Sequence, residues 1–169
     1  MLASPVARPR QAVLLATVLR DTLHWLDDDM RRHGIDVETD LGHEDIVVLA
    51  EPAALQQLFA NLMVNALEAM ADTPLPARRL TVRLAASGPD AVIAISDRGC
   101  GIAADSLPRL FDAFHTTKDD GVGVGLAICH RIVTDLSGSI RAENRRDGGA
   151  RFEVHLRRQD QTASRAATT

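Results

Sequence analysis

The sequence predicts an α/β two-layer sandwich, an α+β arrangement in which a mixed β-sheet carries about three helices on one face. Three observations predict it. Helical and strand periodicities alternate in the order helix, two strands, helix, two strands, glycine-rich loop, helix, two strands. Strands that are neighbours in sequence are joined by short turns. The 169 residues, 46% hydrophobic and 25% charged, suit one compact domain and exclude a disordered or fibrous chain.

Residues 1–11 hold two prolines and no apolar period, and are read as a linker. Leu15, Val18, Leu19, Leu23, Leu26 and Met30 then form one apolar stripe, a helix from about Leu14 to Arg32 that His33-Gly34 ends. Ile35 to Leu41 alternates with period two and Ile46 to Leu49 is β-branched and apolar, giving two short strands around the turn Gly42-His43-Glu44-Asp45. Glu51-Pro52 opens a second helix, with proline in the tolerated first turn. Its stripe is Leu55, Leu58, Phe59, Leu62, Ala66 and Ala69, and it runs to about Ala71 before Asp72 to Pro76 breaks it. Leu80 to Ala85 and Ala91 to Ser96 are strands about the turn Ser87-Gly88-Pro89-Asp90. The glycine-rich stretch 99–125 follows, with a short helix near Ser106 to Phe111. A third helix, Gly125 to Leu136, is stopped by Ser137-Gly138. Ser139 to Glu143 and Arg151 to Leu156 pair across Gly148-Gly149, and 159–169 is read as a disordered tail.

Composition narrows the function. A net charge of −4 gives no generic basic surface for nucleic acid, and 3% aromatic residues with no tyrosine give no base-stacking platform. No apolar run approaches the roughly 18–20 residues of a membrane helix. The longest near the start, Ala12 to Leu19, is also short for a signal peptide. A cytoplasmic domain with no nucleic-acid partner and no direct membrane contact is expected. Cys100 and Cys129 lack metal-site spacing and are read as reduced thiols.

Three features could carry chemistry, each weak alone. Asn61 and Asn65 lie four apart beside the stripe of the second helix, with Glu68 on the same flank. They can line a cavity, or simply be solvated or bond to nearby backbone. Asp97-Arg98-Gly99-Cys100-Gly101 sets a carboxylate at a strand end, where the glycines let a ligand approach the backbone; an ordinary turn reads the same way. Gly121-Val122-Gly123-Val124-Gly125 runs into a helix at Leu126, an arrangement that can direct N–H groups at an anion. Lys118, the one lysine among 19 basic residues, stands just upstream, where a cation would serve a phosphate.

Taken in order, these segments carry a specific resemblance. Asn61-Leu62-Met63-Val64-Asn65-Ala66, Asp97 to Gly101, Phe111-Asp112-Ala113-Phe114 with Thr116-Thr117-Lys118, Gly121 to Leu126, and Gly148-Gly149 before Phe152 resemble the N, G1, F, G2 and last glycine boxes of sensor histidine kinases. The resemblance covers about 12–158 and is to the catalytic ATP-binding domain of two-component systems, in the superfamily shared with gyrase, Hsp90 and MutL. The short link between the F and G2 boxes is most similar to the nitrogen-regulatory and oxygen-sensing kinases.

The resemblance implies a Bergerat-type ATP-binding fold with ATP and Mg²⁺ as cofactors. Asn65 would give its side-chain oxygen to the metal, and Asn61 would sit near the phosphates. Asp97 would accept the adenine amine, with Gly99, Gly101 and Ile102 about the base. Thr116, Thr117, Lys118, Gly121, Gly123, Gly125 and Leu126 would complete the ATP site, with Asn61 and Lys118 as the catalytic pair. Phe111 and Phe114 would pack under a lid, or in the core. In hydrolytic relatives a glutamate matches Asn61; a neutral amide cannot be a general base, so transfer rather than hydrolysis is implied. Glu68 departs from the family, where a basic residue is frequent. The expected activity is transfer of the γ-phosphate to a histidine on a separate dimerisation domain, for relay to a response regulator aspartate. Neither the histidine nor that domain is evident: His43-Glu44, the one His-Glu pair, lies in a turn. The chain is thus read as a catalytic domain cut from a longer kinase, or a naturally truncated one, with the membrane anchoring of the parent left open. A non-catalytic nucleotide-sensing or docking module is the alternative.

Overall fold

A computed structural model describes residues 8–112 and 125–160. The first element is a strand, β1 (Gln11–Leu14), which runs directly into helix α1 (Leu15–Trp25). The sequence places linker and helix there. Four residues of strand abutting a helical stripe leave no turn to separate them. The expected single helix is also two: α1 ends at Leu26 (φ −93°, ψ 2°) and α2 (Asp27–Arg32) restarts. Asp27, Asp28 and Asp29 form the first turn of α2 and Arg31 and Arg32 its last, as the helix dipole favours. The break keeps Leu15, Leu19, Leu26 and Met30 all buried.

The two strands expected around Gly42 exist, β2 (Asp36–Asp40) and β3 (Val47–Ala50), but they are not partners. β3 pairs antiparallel with β1, Gln11 opposite Ala50, in a two-stranded ribbon. β2 instead joins the main sheet parallel to β4 (Arg79–Ser87). Helix α3 (Pro52–Ala69) lies between them in sequence, and such a crossover is what parallel pairing needs. Asp36, Glu38 and Asp40 on the exposed edge strand discourage further strand addition.

β5 (Asp90–Ser96) follows β4 as a hairpin; α4 (Gly125–Asp135) leads into a second hairpin, β6 (Ser139–Asn144) and β7 (Ala150–Arg157). The five-stranded sheet runs β2-β4-β5-β7-β6, antiparallel except at β2–β4. The mixed sheet matches the expectation, and the short helix near Ser106 is a single 3-10 turn, Leu107–Arg109.

Burial alternates strictly along β7: Ala150, Phe152, Val154 and Leu156 face the core, and Arg151, Glu153 and His155 the other side. α3 packs on β4 and β5, α4 on β6, and α1 on α3, so one face of the sheet carries the helices. Leu55, Leu58, Phe59, Leu62, Met63 and Ala66 of α3 form the centre of the core, with Ile93 and Ile95 beneath. Cys129 is buried and Cys100 exposed, both free thiols.

Candidate functional site

The polar residues singled out in the sequence lie along α3: the Asp97 loop at its end, beside the start of β7, and Asn61 at mid-helix, beside the first residue of α4. Asp97 follows β5 directly. Its side chain is buried, 1% exposed, and Oδ1 accepts from the N–H groups of Gly99 (2.8 Å) and Ala150 (3.2 Å). Its own N–H donates to Ala150 O (2.9 Å), continuing the β5–β7 ladder one residue past the strand. A carboxylate held by two backbone donors keeps one orientation.

Two glycines make this packing possible for different reasons. Gly149 has φ +84°, and a Cβ there would lie 2.1 Å from Asp97 O. No other residue fits. Gly99 has ordinary backbone, but a Cβ would lie 2.4 Å from Ala69 O, so the loop could not rest on the end of α3. Cys100 N–H donates to that same oxygen (3.1 Å), and Thr73 Oγ1 donates to Arg98 O (3.0 Å). The loop 97–102 is therefore tied to α3 along one side.

On its other side the loop is tied by residues that the sequence does not mark. Asn144, at the end of β6, reads both backbone groups of Ile102: Oδ1 accepts from its N–H and Nδ2 donates to its carbonyl, each at 2.7 Å. Arg145 Nη1 donates to Asp97 O (2.9 Å) and its Nη2 to Asp147 (3.0 Å). Gly101 (φ +74°) passes close under Asn144 Oδ1. The only sequence hint is a polar run, Asn144 to Asp147, before Gly148-Gly149.

Asn61 and Asn65, both half-buried on α3, form the other end of the site. Asn61 Nδ2 donates to Gly125 O at a long 3.4 Å, joining mid-α3 to the first residue of α4. Beneath this contact, burial pushes the Cys129 thiol up to about 12, with its hydrogen bond to Asn61 acting the other way. A neutral thiol there is a packing group, not a nucleophile. From Asn61 to Ala69, where loop 97–102 rests, the helix rises roughly 12 Å. The elongated site has a carboxylate at one end and two carboxamides and a helix N-terminus at the other.

Phe111 is half-buried, its ring stacked on His130 of α4 (5.7 Å between centroids) and edge-on to Phe152 (6.4 Å). This places Phe111 against the core, as the packing reading expects. Glu68 is exposed on α3, and His43 is exposed in its turn. Leu126 is half-buried in the first turn of α4. Phe114, Thr116, Thr117, Lys118, Gly121 and Gly123 lie outside the described residues. Among the described residues no group of three or more His, Cys, Asp or Glu side chains could hold a metal. A metal here would draw on Asn65 and on oxygens of a ligand and water, the coordination that magnesium keeps. No helix among the described residues is long and apolar enough to cross a membrane.

Comparison with known proteins places the fold in a family. The family described as "Histidine kinase-, DNA gyrase B-, and HSP90-like ATPase" matches residues 50–160. The chain is 34% identical over 154 residues to sensor histidine kinase TmoS of Ectopseudomonas mendocina, covering 90% of this chain and 16% of TmoS. It is 37% identical over 149 residues to the C4-dicarboxylate transport sensor protein DctS of Rhodobacter capsulatus, covering 88% of this chain and 23% of DctS. It thus spans less than a quarter of the length of these two relatives. A nucleotide-free structure of the catalytic domain of histidine kinase ThkA superposes with a TM-score of 0.80 at 25% identity, covering 89% of this chain and 96% of that domain. With this fold, this order of polar boxes and these relatives, the chain belongs to the histidine kinase-, DNA gyrase B- and HSP90-like ATPase family, as a histidine kinase catalytic domain with its nucleotide-binding fold.

Proposed function

We propose that this domain binds Mg-ATP between Asp97 and the Asn61–Asn65 flank of α3, and passes the γ-phosphate to a histidine on a separate dimerisation domain. A response regulator aspartate would then receive it. The observation that carries the reading is the Asp97 carboxylate, buried and oriented by two backbone N–H groups where Gly99 and Gly149 leave room for nothing else. A fixed acceptor of this kind suits the exocyclic amine of adenine, with Gly101 and Ile102 flanking the base. The phosphates then extend toward Asn61, Gly125 and Leu126, where the N-terminus of α4 favours negative charge. Thr116, Thr117, Lys118, Gly121 and Gly123 complete the phosphate side in this reading, and Lys118 supplies the positive charge.

Asn65 would give its carbonyl oxygen to Mg²⁺, which when bound neutralises phosphate charge. What the chain's own residues contribute is position and electrostatics, and phosphoryl transfer asks for little else. Asn61 is a neutral amide engaged with Gly125 O, so it does not deprotonate water. Negligible steady-state ATP hydrolysis follows, and sustained phosphate release by the isolated domain would contradict it. The decisive assay supplies a separate dimerisation domain with labelled ATP. Labelling of its histidine, lost in Asp97→Asn, supports the kinase. Tight nucleotide binding with no transfer would favour a nucleotide-sensing docking module.

A further inference from the structure

The face of the sheet turned away from the helices carries a groove of about 450 Å³, most of whose arginines have no part in the nucleotide site. Six arginines line it, Arg79, Arg83, Arg98, Arg145, Arg146 and Arg151, against two glutamates, Glu38 and Glu143. This concentration of positive charge stands in a chain whose net charge is −4. Four of the arginines have carboxylate partners: Arg79 with Asp36 and Glu38, Arg98 and Arg145 with Asp147, and Arg151 with Glu153. Arg83 and Arg146 have no ion pair among the described residues, and both are exposed. Moreover, the Nε–H groups of Arg98 and Arg151 are buried without a hydrogen-bond partner. A buried guanidinium N–H without a partner is a donor that a hydrogen-bond acceptor would satisfy. Thr81 and Ser96 add hydroxyl donors to the same groove.

We propose that this groove is a second anion site, taking a small molecule with two or more closely spaced phosphates. The volume suits a small ligand. Ala94 is the one apolar residue among those lining the groove, so recognition there rests on charge and hydrogen bonds and not on apolar burial. The exposed Trp25, Leu49 and Leu75 all lie outside it. The groove also borders the nucleotide site from behind. Arg145 holds Asp97 O and Asn144 holds Ile102, and both residues line the groove.

The test is an amide NMR titration of the full chain with inorganic tripolyphosphate, without magnesium. Saturable shifts at Thr81, Ser96 and Arg151 are expected. In Arg83→Gln/Arg146→Gln the affinity should fall at least tenfold, while a non-hydrolysable ATP analogue binds within twofold of wild type. Shifts confined to Gly125 and the start of α4 would overturn the proposal, as would equal affinity in the double variant. Tighter binding of a hexaglutamate peptide than of tripolyphosphate would also overturn it, in favour of an acidic protein segment.

Discussion

Asp97 is the residue on which nucleotide binding depends most in the proposed site. Asp97→Asn keeps the shape but replaces one carboxylate oxygen by an NH₂ group, which either faces the N–H groups of Gly99 and Ala150 or meets the adenine amine. Losing a charge-assisted hydrogen bond of roughly 1.5–3 kcal/mol weakens ATP by about ten- to a hundredfold. Asn144 supports the same loop from 42 residues away. Asn144→Ala removes two 2.7 Å bonds to Ile102, exposed bonds worth about 0.5–1.5 kcal/mol each. We expect a several-fold rise in the Kd for nucleotide together with a modest fall in Tm; an unchanged Kd would mean that the loop holds itself. Asp97 and Gly99 were legible in sequence because a carboxylate and glycines at a strand end already form a local pattern. Asn144 and Arg145 were not, because their partners are backbone groups that only the fold brings near.

At the scale of elements, hydrophobic periodicity located the main helical segments and the main strands, but it did not show the break between α1 and α2 and could not assign strand partners. β2 and β3 read as neighbours about a turn, since period-two alternation states which side is buried and not which strand lies alongside. β1 was invisible because its four residues continue the apolar pattern of α1. Its role is measurable. Val13 is 7% exposed and Leu14 lies opposite Val47, so a chain starting at Leu15 loses the buried Val13, about 1.5–3 kcal/mol, and leaves β3 unpaired. A lower Tm with unaltered nucleotide specificity is the expected result in a thermal melt. An unchanged Tm would show the ribbon to be dispensable.

Over the whole molecule, one face of the sheet is buried beneath helices and the other is built of charge. The Glu153 carboxyl is held at about 2 by its hydrogen bond to His155, with Arg141 and Arg151 adding to the effect against the opposing cost of burial. Its folded value lies below the ordinary 4.5, so its stabilisation is complete above about pH 4.5 and is lost as pH falls toward 2. With the side chain 13% exposed, about 3 kcal/mol is the upper bound. Denaturant titrations of wild type and Glu153→Gln should differ at pH 7 and converge near pH 2; a gap independent of pH would remove Glu153 from the acid response. The alternation along β7 made this charged face readable as a surface, while the grouping of arginines from two strands, a loop and a turn required the three-dimensional sheet.

The central claim, a nucleotide held by Asp97 with magnesium at the Asn65 end, is met most directly by calorimetry. A non-hydrolysable ATP analogue is titrated into wild type and Asp97→Asn, with and without Mg²⁺. Magnesium-dependent binding to wild type is expected, weakened about ten- to a hundredfold in the variant. Equal affinity in the two proteins, or no binding to wild type under either condition, would contradict it.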